Sequence, residues 1–226
     1  MDLLSAKRGV GLKRALWEPL LLAAGLLGLF KLTQLFLPPD WTALLVPALL
    51  LYAPFTFSDF RRSRLLFIDR SLAGFLNGWK WFFLVTLILI PPFMGAAHFW
   101  MVHVSHYQTF SAAPFRFFTE VCFAQLIAVA LPEEFFFRGY FQGRLNTFFK
   151  PRWNILGVRL GYDWLLTAVI FAFAHSVIQV QWWHFSIFFP ALVFGWLREK
   201  TGSITAPILF HTFCNCWTTW FVRSYL

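Results

Sequence analysis

Charge is scarce in this chain. Asp, Glu, Lys and Arg supply 13% of its 226 residues, about half the share typical of soluble domains. Hydrophobic residues supply 59%, so a soluble globular domain is excluded. No ten-residue segment of alternating apolar and polar residues recurs, which excludes a transmembrane barrel. Open sheet edges cannot sit in hydrocarbon, so strands are not expected. Internal repeats and low-complexity linkers are also missing, and the length suits a single integral membrane domain over 1–226. Cysteine is limited to Cys122, Cys214 and Cys216, all in apolar stretches. They read as small buried residues, not as a disulfide framework. The first apolar run lacks a small-residue cleavage site and is read as the first span, not a cleaved signal.

What is abundant is aromatic and aliphatic. Phe occupies 31 positions and Trp 12, side chains suited to lipid and its interfaces. Apolar segments of roughly membrane-spanning length predict helices at 16–37, 41–58, 74–101, 115–131, 133–149, 162–178, 184–200 and 203–223. The fold class is therefore all-α: a polytopic transmembrane bundle of seven or eight helical elements. The formal charge of +9 would suit a nucleic-acid partner if it were spread over one face. Instead the basic residues fall in clusters between apolar runs: Lys7, Arg8, Lys13, Arg14; Arg61, Arg62, Arg64, Arg70; Lys150, Arg152, Arg159; Arg198, Lys200. That is the positive-inside pattern of a multi-pass protein whose partner is the bilayer, with no nucleic acid. The 38–40 turn, the 102–115 segment and 179–184 carry no Lys or Arg and are placed on the opposite side. This alternation allows one crossing between 115 and 149, either a broken crossing or a crossing plus a partly inserted amphipathic piece, with the break at Pro132, where a missing N–H kinks a helix.

The costliest residues for a membrane lie at that point. Leu131-Pro132-Glu133-Glu134-Phe135-Phe136-Phe137-Arg138-Gly139 puts two carboxylates and a guanidinium in an apolar run. Each such charge costs about 2.5–3.5 kcal/mol on insertion scales. Glu134 and Arg138 are four apart with the acid first, the favourable order for an ion pair on one helical face. Glu133 points about 100° away and has no local partner, which leaves it free to act as a base. His175 ends the apolar run Phe171-Ala172-Phe173-Ala174, and His211 and Asn215 share a face of the last helix at i, i+4. A carboxylate, two imidazoles and a carboxamide from three helices could converge in a bundle core. Together they suit hydrolysis: a base for water, then donors for a developing oxyanion. The plain reading of each residue alone is structural, a core histidine or an ion-pair clamp. As a set within lipid-facing elements they read as functional.

Other polar residues carry less. His98, His103 and His106 read as interfacial side chains, with His103 and His106 offering an i, i+3 metal pair as a lesser alternative. His184 beside Trp182 and Trp183 reads as an interface belt. Glu120 and Gln125 are left as either bundle pairing or cavity lining.

The motifs resemble those of the CPBP (CAAX protease and bacteriocin-processing, or Abi) intramembrane proteases. Glu133-Glu134 with Arg138 is similar to EExxxR, Phe171 with His175 to FxxxH, and His211 with Asn215 to HxxxN. Gly202-Ser203-Ile204 with Pro207 resembles the approach to the last motif. The resemblance covers 115–220, the expected catalytic core, and the first 110 residues carry no motif. It implies a glutamate-type endopeptidase acting near the C-terminal region of a membrane-associated protein or peptide, with the prenylated CaaX type as one candidate substrate. Carried over, Glu133 activates water with His175 assisting, His211 and Asn215 form the oxyanion hole, and Glu134 and Arg138 organise the site. No cofactor is implied. Zinc is the lesser alternative, because Asn215 is a poor zinc ligand and no HExxH occurs. The expected location is the plasma membrane of a prokaryote. A myxosortase-like sorting protease that removes C-terminal anchors is the alternative within the class. A transporter or an immunity-type scaffold is the alternative outside it, although paired broken helices in repeated halves, the usual transporter signature, are missing.

Overall fold

The structure is a computed structural model that describes residues 3–57, 60, 67–107 and 109–225, without side chains at 3–12, 115, 117, 120, 182 and 183. Of the features named above, Arg61, Arg62 and Arg64, and the side chains of Lys7, Arg8, Glu120, Trp182 and Trp183, lie outside the described residues.

Seven helices build the bundle among the described residues. Helix α1 is Leu3–Phe36, and α2 is Pro39–Tyr52 with a 3-10 turn, Ala53–Thr56, after it. Helix α3 is Leu72–His103 and α4 covers 115–148. Helix α5 is Tyr162–Ile178, α6 is Phe188–Thr201 and α7 is Thr205–Arg223. Among the described residues two segments, Lys13–Phe36 and Leu72–His103, are long and apolar enough to cross a membrane, with mean hydropathy 1.6 and 1.9. Along α3 the large apolar side chains face outward; Leu87 is 75% exposed. Such a face is stable against lipid and not against water.

Local chemistry sets the boundaries. Ser71 caps α3 by accepting from the Gly74 N–H at 3.1 Å, which satisfies one of the orphan donors of the first turn. Helix α6 ends at Gly202, whose φ of +71° closes the turn on Arg198 O, a conformation that glycine adopts without a Cβ penalty.

Two expectations are corrected. The chain does not break at Pro132: 115–148 is one continuous helix. It contains two widened π-helical stretches, Gln125–Ala130 and Phe135–Gln142, on either side of Leu131–Glu134. The wide turns absorb the missing proline N–H that the sequence reading assigned to a kink, and such turns concentrate at functional sites. Strands also occur, as a hairpin of Trp153–Ile155 (β1) with Val158–Leu160 (β2), Ile155 opposite Val158. It lies in the basic loop, where the argument from lipid does not apply. Its two-residue turn puts Leu156 and Gly157 at positive φ, the hand that matches strand twist.

Helices α4, α5, α6 and α7 form the core. Phe136, Phe137, Phe141, Phe171, Phe194 and Phe210 are buried between them. At the basic end, Phe55, Phe60, Phe67, Phe135 and Tyr140 pack ring on ring. Gly139 makes this possible, because a Cβ there would stand 2.6 Å from the Phe67 ring. Beside them Glu18 of α1, buried to 6% exposure, accepts from Tyr140 at 3.2 Å and pairs with Arg14 at 3.0 Å and Arg144 at 3.1 Å. That network ties α1 to the basic end of α4.

Candidate active site

Helix α4 carries the acidic pair at mid-bundle, and adjacent positions on a helix point in different directions. Glu134 turns into the protein core and Glu133 onto the wall of a cavity of about 920 Å³. The cavity is lined by α1, α2, α4 and α5, largely by apolar side chains such as Leu27, Val46, Phe137 and Ile170. Glu133, His175, Asn215 and Gln125 are among the few polar groups on it. An apolar chamber with a few placed polar groups is the usual form of a ligand site.

Three of the expected residues meet at one oxygen. Glu133 Oε2 stands 3.7 Å from His175 Nε2 and 3.9 Å from His211 Nε2. It takes no direct hydrogen bond among the described residues. Both separations exceed a direct hydrogen bond. The far side of each ring is anchored. His175 Nδ1 donates to Phe171 O at 2.9 Å, within its own helix. His211 Nδ1 donates to Glu134 Oε1 at 2.8 Å. A carbonyl or carboxylate only accepts, so both Nδ1 atoms carry hydrogen and both Nε2 atoms face Glu133.

Glu134 therefore does more than the clamp the spacing predicted. Its Oε1 accepts from Arg138 Nη1 at 2.9 Å as well as from His211, and both ion-pair partners are fully buried. Arg138 is held in turn by Ala191 O at 3.1 Å and by the faces of Phe171 and Phe194, 4.3 and 5.0 Å from its guanidinium carbon. Stacking on aromatic faces and a forked donor set suit arginine to such a place, where lysine would not serve. Phe171 thus joins the arginine to the histidine four residues on. His211 also stacks on Phe194, ring centroids 4.8 Å apart.

Asn215 lies one turn from His211, as its spacing required, and its Nδ2 donates to Gln125 Oε1 at 2.8 Å. Gln125, read from the sequence as either bundle pairing or cavity lining, does both. It opens the first π-helical stretch, and the sequence signal that marks it is its position eight residues before Glu133 in an apolar run. His184 reaches the cavity too, with Nδ1 3.4 Å from His175 O. The other histidines stay outside: His98 meets the Tyr225 hydroxyl at 2.5 Å. Helix α3 ends at His103, while His106 lies beyond it at φ +59°, so their i, i+3 helical spacing is not realised. Among the described residues no group of three or more His, Cys, Asp and Glu side chains is arranged to hold a metal ion. The three cysteines are free.

Residues 117–217 match the family model described as type II CAAX prenyl endopeptidase Rce1-like. No curated protein and no solved structure matches the chain. The matched segment runs from the first turn of α4 through Asn215 and contains all six motif residues, and over it the chain is similar to the membrane-embedded CAAX-type proteases.

Proposed function

We propose that this protein is a multi-pass intramembrane endopeptidase, one domain over its whole length, in which Glu133 activates water against a peptide bond held in the cavity. The observation that carries the reading is the approach of both imidazole Nε2 atoms to Glu133 Oε2 at 3.7 and 3.9 Å on the cavity wall. A water at that point gives one hydrogen to Glu133 and the other to His175 Nε2. Its oxygen attacks the scissile carbonyl carbon, and Glu133 takes the proton. The carbonyl oxygen becomes an oxyanion, met by the second Nδ2 hydrogen of Asn215 and, when the ring carries two protons, by His211 Nε2–H. Collapse of the intermediate breaks the C–N bond, and the proton held by Glu133 passes to the leaving amine. Glu134 and Arg138 hold His211 in place.

The apolar chamber suits a substrate bound to the membrane, and the family points to cleavage near a C-terminus, with a prenylated end as one form of anchor. The setting proposed is the plasma membrane of a prokaryote. The mechanism proposed is free of metal: one His211 nitrogen is engaged by Glu134, one Asn215 hydrogen by Gln125, and an amide is a poor zinc ligand.

The test is hydrolysis of a membrane-anchored, C-terminally prenylated reporter peptide by reconstituted protein. Wild type should cleave it after exhaustive chelation. Glu133→Gln, nearly isosteric but unable to take a proton, should be inert at unchanged thermal stability. An active Gln variant removes the base from this mechanism, and activity lost to chelators and restored by zinc overturns the metal-free assignment.

A further inference from the structure

The two ends of the bundle differ in charge and in how they close the cavity. One end gathers Arg14, Arg70, Arg144, Lys150, Arg152, Arg159, Arg198 and Lys200. Among the described residues, only Lys31, Arg116 and Arg223 lie toward the other. Contacts between distant segments keep the ends distinct. Glu18 meets Arg144 and Gln142 meets Glu199 at the basic end. Lys31 donates to Ile178 O, and Phe110 pairs with Tyr225, at the other. On the positive-inside rule the basic end is cytoplasmic.

The cavity does not reach that end. Below Glu133 the way is filled by Phe55, Phe60, Phe135 and Tyr140 in ring contact. Behind them stand the buried carboxylate of Glu18 and its arginines. Below His211 the space is taken by Arg138, Phe194 and Phe210. In the opposite direction, with no such plug among the described side chains, the cavity wall continues to Gln34, Leu37 and Pro39 at the α1–α2 turn. On its other side it reaches Gln179 and His184 after α5. Gln34 and Gln179 are exposed. His175 is three residues from the end of α5 there, about 4.5 Å of helical rise.

We infer that the catalytic cavity opens to the non-cytoplasmic face, and that its substrates are membrane-anchored polypeptides whose cleaved segment lies on that side. This rests on the proteolytic, multi-pass reading above and selects within it: a cytosolic protein held at the inner leaflet by a prenyl group would meet the plugged end. An exported protein retained by a terminal anchor would meet the open one.

Sidedness is read without any substrate. Single cysteines are placed at the rim (Gln34→Cys, Gln179→Cys), deep in the cavity (Ala174→Cys, Val129→Cys) and on the basic hairpin (Arg159→Cys), with the three native cysteines replaced by serine. A membrane-impermeant maleimide is then applied to right-side-out spheroplasts and to inverted vesicles of variants that keep the wild-type melting temperature. Rim and deep thiols should be alkylated in spheroplasts and lose that labelling in inverted vesicles, while the hairpin thiol should show the reverse. Deep thiols labelled in inverted vesicles, or in neither preparation, would overturn the inference. Catalysis does not enter, so this failure is distinguishable from an active Glu133→Gln variant, which would sink proteolysis and leave the opening untouched.

Discussion

Arg138→Ala should unsettle the whole site through Glu134. The guanidinium is fully buried, 2.9 Å from Glu134 Oε1, and no solvent reaches either partner. Removing it leaves a carboxylate in low dielectric with His211 as its remaining contact, 2.8 Å away. Breaking a buried pair on one side typically costs about 3–5 kcal/mol, because the surviving charge stays desolvated. For a chain of this length roughly 2–4 °C of melting temperature accompany each kcal/mol, so the shift should be about 6–20 °C. The loss of Phe171 and Phe194 as stacking partners acts in the same direction. The assay is thermal unfolding of purified protein in one fixed detergent, in parallel with reporter hydrolysis. A second variant separates charge from volume. Glu134→Gln with Arg138→Met removes both charges and fills the space, so much of the lost stability should return, as neutral replacement of buried pairs commonly allows. Hydrolysis should not return, because His211 Nδ1 no longer faces a carboxylate. An Arg138→Ala variant that melts with wild type, or a double variant as unstable as the single one, would refute the reasoning.

Two predictions concern the oxyanion. Asn215→Ala should lower turnover by about 10²–10³ with little change in KM, the usual effect of removing one oxyanion donor; unchanged turnover would take that role from it. Gln125→Met should lower turnover about five- to tenfold, since the hydrogen bond that orients Asn215 contributes ~1–1.4 kcal/mol. In an Asn215→Ala background the same change should have no further effect, whereas an additive loss would mean that Gln125 acts by another route.

Spacing made much of the site legible. Glu133 and Glu134 could not share a face, so one had to turn to the core and the other away from it. His211 and Asn215 at i, i+4 had to project together. What spacing could not show was how Glu134 divides itself between Arg138 and His211, because that contact joins positions 77 residues apart. The partner of Gln125 escaped for the same reason: Asn215 is 90 residues on. Pro132 misled in the other direction. A proline inside an α-helix predicts a break, but π-helical turns re-route the neighbouring hydrogen bonds, and local sequence does not announce them.

By itself the sequence determined that this is a helical membrane protein, with its basic loops on one side and one cluster of ionisable residues too costly to bury without a purpose. Those properties follow from composition, helical period and the free energy of charge in hydrocarbon, which each segment carries alone. Tertiary structure decided which nitrogen of each histidine faces Glu133. It also set the cavity between α1, α2, α4 and α5 and the end of the bundle at which the aromatic plug closes it. These depend on side chains from distant segments meeting at distances near 3–4 Å, and only the packing of the helices against one another sets such distances.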